Sequence, residues 1–142
     1  MSTSPSLTKP SAALFTGAFR DNYELNYEGL PLGDMTGDQR AIASELLSIY
    51  INRANPGHAA GRLRETRAFE DETYFSWIGD PDDVFYYRLH SPVLIVEFEH
   101  MIGVMFDNDE PLRIHIHTVV RTPNGGDYGI DLLRQHHERY QH

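Results

Sequence analysis

The residues best suited to chemistry in this sequence are His115 and His117, which are separated by a single residue in the segment Arg113-Ile114-His115-Ile116-His117-Thr118. Polar and apolar residues alternate along this segment, which predicts a β-strand. Side chains at positions i and i+2 of a strand point to the same face. The two imidazoles are therefore expected to project together, at a separation that one metal ion can bridge.

A carboxylate partner is expected on the preceding strand, where Glu97 interrupts the apolar run Val93-Leu94-Ile95-Val96. A glutamate in such a run is costly unless it is paired, hydrogen-bonded or bound to a metal, whereas Glu99 is expected at the surface. Two histidines and one carboxylate form a common layout for catalytic Fe(II) or Zn(II). In the alternative interpretation the histidines lie on a polar outer face, and Glu97 pairs with Arg113 or Arg121 across strands.

Other polar residues are candidates for the same site. His136, on a predicted C-terminal helix, is a candidate further metal ligand, and His90 is a candidate at the edge of the same pocket. Arg121 or Arg88 would position a substrate, although strand arginines often only balance nearby carboxylates. With imidazole and carboxylate ligands and no sulfur, Zn, Fe, Mn and Cu all fit.

Period-two patterns after Asp71 predict strands at about 73–77, 84–90, 93–99 and 112–121, which would form an antiparallel sheet. The side of the last strand opposite the histidines is expected to be core, through Ile114, Ile116, Thr118 and Val120. A helical pattern from Ile130 to about Tyr140 predicts that a C-terminal helix closes the domain.

Upstream of the sheet, Thr36-Gly37-Asp38-Gln39 matches a capping box and predicts a helix from about Gly37. Its apolar stripe is expected at Ile42, Leu46, Ile49 and Tyr50, widened by Leu47 and Ile51. A second, arginine-rich helix is predicted from His58 to about Phe69. The fold class is therefore α+β: an antiparallel sheet of about four or more strands in the C-terminal half, one or two helices before it and one after. Residues 1–11 are expected to form a flexible tail, and residues 12–142 a single domain.

Composition excludes several classes of function. A formal charge of −9 with one lysine argues against nucleic acid, and the longest apolar run is far shorter than the ~20 residues of a membrane helix. The N-terminus lacks the pattern of a secretory signal, so a cytoplasmic location is expected. The absence of cysteine removes disulfides and thiol chemistry.

Several ordered motifs resemble a known family. They are Phe85-Tyr86-Tyr87-Arg88-Leu89-His90-Ser91-Pro92, Val96-Glu97-Phe98-Glu99-His100, the strand from Arg113 to Arg121, Gly126-Asp127-Tyr128-Gly129 and Leu132-Leu133-Arg134-Gln135-His136. With these, the chain resembles the C-terminal part of proteins catalogued as domain of unknown function 3500. The resemblance covers about the last seventy residues, with the Thr36 helix fitting loosely, and it supplies no reaction.

The resemblance implies functional roles for six polar residues: Glu97, His115, His117, Arg121, Asp127 and His136. The chain departs from the family pattern at Ser91, where a glycine is usual, and in lacking a long N-terminal half that carries its own histidine pair. If that half completes the pocket in other family members, this chain must leave the pocket open, dimerise or borrow a partner chain, and we expect a homodimer or a partner chain.

Taken together, these features predict a small metal-dependent enzyme that acts on an organic small molecule. The expected metal ligands are His115, His117, Glu97 and His136, and the expected catalytic residues are Arg121, Arg88 and Asp127. Hydrolysis and oxidation both remain open. The alternative is a non-catalytic small-molecule-binding module or a subunit of a larger complex.

Overall fold

The protein folds around a five-stranded antiparallel sheet, as seen in a computed structural model that describes residues 15–16, 25–102 and 110–123. The strands are β1 (Leu30–Pro31), β2 (Tyr74–Gly79), β3 (Phe85–His90), β4 (Ile95–Ile102) and β5 (Pro111–Arg121). Their spatial order follows the chain, so β1 and β5 are the two edges. With the two helices described next, this confirms the predicted α+β class.

Two helices lie between β1 and β2: α1 (Gly37–Ile51) and α2 (Pro56–Ala68). The predicted capping box is present, since the Thr36 side chain accepts from the Gln39 backbone and the Gln39 side chain accepts from the Thr36 backbone. The second helix begins earlier than predicted, because Asn55 caps it and Pro56 occupies its first turn. Proline suits that position, where its missing N–H would have no helical partner.

The helices pack on one side of the sheet, which we call the helix face. The buried face of α1 departs from the predicted one at Ile42 and Ile49, which are 68% and 52% exposed. Leu47 and Ile51 lie in the core as predicted, together with Ala43, and the predicted Leu46 and Tyr50 pack against it. The buried positions recur every four residues, which is one row of the helix surface. The sequence offered two overlapping apolar rows, and only the packing against the sheet selects between them.

The core of the described residues is centred on the middle strands, and it consists of Leu32, Ala43, Leu47, Ile51, Ala59, Leu89, Leu94 and Val96. The expectation that β5 contributes to this core was wrong, because Ile114 is 82% exposed, and Ile116, Thr118 and Val120 are also exposed. These residues lie on the helix face, but β5 is an edge strand and the core formed by α1 and α2 lies over β3 and β4.

The predicted C-terminal helix and the N-terminal tail lie outside the described residues. Within the described part of the chain, no helix is long and apolar enough to cross a membrane.

Candidate functional site

The sheet register places Glu97 and both candidate histidines on the same side of the sheet. Glu97 lies opposite Val119, and Glu99 lies opposite His117. Residues opposite each other in an antiparallel pair share a face, and so do residues two apart on one strand. The predicted shared face is therefore confirmed. We call this side, opposite the helix face, the polar face.

Glu97 is fully buried on the polar face and accepts four hydrogen bonds. Its Oε1 accepts from the Phe15 backbone N–H at 3.2 Å and from the Tyr86 hydroxyl at 2.6 Å. Its Oε2 accepts from the Thr16 backbone N–H at 2.8 Å and from the Thr16 hydroxyl. A carboxylate offers about four lone-pair positions, so these donors fill them. The predicted need of Glu97 for partners is met by hydrogen bonds.

The segment Phe15–Thr16 is therefore hydrogen-bonded to the polar face through both its backbone N–H groups and a backbone carbonyl oxygen. Glu97 accepts from its backbone N–H groups, and Arg121 Nη1 donates to the Thr16 carbonyl oxygen at 2.6 Å. The Phe15 ring packs edge-on against Tyr86, with 5.7 Å between ring centroids. Burial, and then the charge of Glu97, raise the pKa of the Tyr86 hydroxyl, so it stays a hydrogen-bond donor. Arg121 therefore has a structural contact that the sequence did not reveal.

His115 and His117 converge at the end of the polar face, with their Nε2 atoms 2.9 Å apart. His115 Nδ1 lies 2.8 Å from the Ile102 carbonyl oxygen. Because a carbonyl only accepts, His115 Nδ1 carries the proton, and in the neutral ring the Nε2 lone pair is left available. Metal-bound histidines usually show this arrangement, in which the second ring nitrogen donates to a carbonyl or carboxylate.

The predicted three-residue ligand set is not assembled. Within the described ranges, no group of three or more His, Cys, Asp or Glu side chains converges to hold a metal ion. Glu97 would have to release at least one of its four donors to bind a metal. The histidine pair is thus brought together by the fold, and Glu97 is held apart from it by its own contacts.

Arg88 and His90 are buried in the polar face beneath residues 26–28. Arg88 Nη2 donates to Glu28 at 2.7 Å, and the guanidinium also lies 5.7 Å from the Phe15 ring centroid. Tyr27 stacks on the His90 ring with 4.2 Å between centroids. Burial, reinforced by the charge of Arg88, lowers the pKa of His90 to about 4, so this histidine is neutral at physiological pH.

Glu99 differs from its expected surface position, because it is completely buried. Neither of its carboxyl oxygens has a hydrogen-bond partner in the described part of the protein. Burial, and then the nearby charge of Glu97, raise the pKa of Glu99 to about 7. The two glutamates thus occupy opposite environments on the same strand face. The alternation of the sequence predicts that both side chains lie on one face, but it does not predict which carboxyl group lacks hydrogen-bond partners.

Of the other predicted residues, Arg113 is exposed and donates to the Asp82 carbonyl oxygen, away from the polar face centre. Asp127 and His136 lie outside the described residues. Sequence reasoning missed Thr16, Glu28 and Tyr86 as partners of the buried charges. Only Tyr86 carried a signal, because it alternates with Arg88 and His90 on a predicted strand.

A family model described as "Protein of unknown function (DUF3500)" matches residues 3–130. The chain belongs to this family. The match extends well beyond the last seventy residues expected from the motifs, and it includes the Phe15–Thr16 segment. It ends before His136. No curated protein and no solved structure shows significant similarity to the chain.

Proposed function

We propose that the protein is a small metal-dependent enzyme acting on an organic small molecule, with a divalent transition metal bound by His115 and His117. The observation that supports this is the 2.9 Å separation of the two Nε2 atoms. The His115 Nε2 lone pair can bind a metal because the ring proton lies on Nδ1, which donates to the Ile102 carbonyl oxygen. Neutral imidazole is a common ligand for Zn, Fe and Cu, and Mn would take oxygen ligands beside the two histidines. The metal would activate water or oxygen beside the substrate.

The separation of the nitrogens also favours some metals. At metal–nitrogen distances of about 2.1 Å, nitrogens 2.9 Å apart subtend an angle of about 90° at the metal. That is the angle between neighbouring ligands in octahedral and tetragonal sites, which suit Fe, Mn and Cu(II). A tetrahedral Zn site needs about 3.3 Å between two nitrogens, so the histidines would have to separate slightly.

A second candidate function is a non-catalytic small-molecule-binding module. The observation that favours it is that the described residues bring only two metal-ligating side chains together, while Glu97 is fully engaged. In that case the short distance between the histidines is a hydrogen bond between two neutral rings. The two candidates differ in whether a metal ion binds stoichiometrically.

The test is metal content. Untagged protein is loaded separately with Fe(II), Mn(II), Cu(II) or Zn(II), dialysed, and analysed by inductively coupled plasma mass spectrometry. We expect one ion per chain in the wild type, and loss of binding in His115→Ala and His117→Ala with the fold retained. His58→Ala, on the exposed surface of α2, is the matched control and should keep the metal. Equal metal content in all four proteins would refute the site.

Ligand histidines must be deprotonated, so the proposal also requires metal occupancy to fall on acidification. A pH series on the loaded wild type checks this with the same assay. If the wild type kept its ion in acid, the metal would be bound by other ligands than these two histidines.

A further inference from the structure

Strand β5 has one long edge with no neighbouring strand among the described residues. It is the last strand in the order of the sheet, and it is eleven residues long. On the helix face its side chains Ile114, Ile116 and Val120 are 82%, 49% and 47% exposed. The sequence between residues 114 and 120 holds no proline and no formal charge, which are the usual guards of an exposed edge. The edge of β5 is therefore suited to pairing with another strand.

A second copy of the chain fits this edge by symmetry. Two identical antiparallel strands pair about a two-fold axis perpendicular to the sheet, and the axis then passes through one residue position. Residue 116 is the midpoint of Pro111–Arg121, so an axis at Ile116 pairs β5 over its full length. An axis at His117 would shorten the pairing and would put Arg113 opposite the partner's Arg121. Like charges directly opposite one another are unfavourable, so the charges also select the axis at Ile116.

This register brings two histidine pairs together. With the axis at Ile116, His115 lies opposite the partner's His117, and His117 lies opposite the partner's His115. Opposite residues share a face, so all four imidazoles project from the polar face. In a single chain, no third His, Cys, Asp or Glu of the described ranges joins His115 and His117 to hold a metal ion. The second copy supplies two further ligands at the same place.

We propose that two copies of the chain pair through β5 about Ile116, and that the two histidine pairs, each with its own ion, form a two-metal centre across the axis. This inference rests on the proposed metal site and names the partner that completes it. His115 donates to Ile102 and so leans toward β4. Strands lie about 4.8 Å apart, so the ions are about 5 Å apart if each lies above β5, and about 10 Å apart if each lies midway between β4 and β5. One small organic molecule can contact both ions at this separation.

The experiment uses Cu(II) alone as the probe. Two copper ions at this separation couple magnetically and give a half-field signal in electron paramagnetic resonance spectra, which an isolated ion does not give. The full chain is loaded with one Cu(II) per chain, and its mass is measured by light scattering. We expect a dimer with a half-field signal. Bound Cu(II) in a monomer, or in a dimer without that signal, would overturn this inference and leave the metal site standing. A chain that binds no Cu(II) would refute the metal site and this inference together, so the two failures are distinguishable.

Substitutions at Ile116 test the register, because this residue faces its own copy across the axis. Ile116→Lys and Ile116→Glu each put like charges opposite one another, so each protein alone should be monomeric, keep one Cu(II) per chain and lose the half-field signal. An equal mixture of the two should restore the dimer and the signal, because opposite charges then meet. Ile42→Lys makes the same change at an exposed position of α1 and should keep both. A dimer in either Ile116 variant alone, or a mixture that stays monomeric, would overturn the proposal.

Discussion

Replacing Glu97 by glutamine tests the central interaction of the polar face with the smallest possible change in shape. The carboxylate accepts from the backbone N–H groups of Phe15 and Thr16 and from the hydroxyls of Tyr86 and Thr16. Glutamine presents one oxygen and one NH₂ group to the same four donors. A hydroxyl can turn and accept, but a backbone N–H cannot, so either amide orientation leaves one backbone donor facing another donor.

The size of the effect follows from these contacts. One buried N–H without an acceptor costs roughly 1–3 kcal/mol, and the remaining bonds weaken because they lose a charged acceptor. Removing a fully buried charge returns part of that free energy. The net expected loss in the free energy of unfolding for Glu97→Gln is about 3 kcal/mol. For a chain of this length, that corresponds to a melting temperature lower by about 10 °C.

The assay is urea denaturation followed by far-UV circular dichroism, in buffer with EDTA so that no metal contributes. Glu72→Gln makes the same chemical change at an exposed position and should stay within about 0.5 kcal/mol of the wild type. If Glu97→Gln also unfolds within 0.5 kcal/mol of the wild type, the four hydrogen bonds do not hold Phe15–Thr16 on the sheet. Equal losses in the two variants would show a general effect of charge.

Three further outcomes are expected. The pKa of Glu99 is about 7 in the folded state against an ordinary value of 4.5, so the folded state keeps a proton that the unfolded state loses as the pH rises. Relative to Glu99→Gln, the wild type should therefore lose roughly 2 kcal/mol of unfolding free energy between pH 4.5 and 7. The same pH dependence of the unfolding free energy in both proteins, measured by urea denaturation, would contradict this. Leu47→Ala should lower the free energy of unfolding by about 2–5 kcal/mol and Ile42→Ala by less than about 1 kcal/mol, because only Leu47 is buried; similar losses by calorimetry would refute the assignment of the α1 core row. The exposed apolar side of edge strand β5 is expected to form a homodimer, so Ile114→Asp should convert a dimer to a monomer in light scattering, and a monomeric wild type would exclude this.

Much of the local structure could be predicted because the signals lie within a few residues of one another. The Thr36 capping box fixes the start of α1 through contacts over three residues. The alternation of β4 and β5 correctly put Glu97 and His117 on one face, since a period of two is a property of any strand. Glu97 was also correctly singled out, because a glutamate inside an apolar run needs partners wherever it lies.

Which face of the sheet is covered was decided only by the tertiary structure. Alternation separates two faces without saying what packs over either one. Three of the four donors to Glu97 belong to Phe15 and Thr16, more than 80 residues away in the sequence, and the ion-pair partner of Arg88 is Glu28. As a result the side carrying Glu99 is buried, while the apolar side of β5 is exposed. Side chains from distant segments supply both the cover and the hydrogen bonds, and such pairings leave no periodic trace in a single sequence.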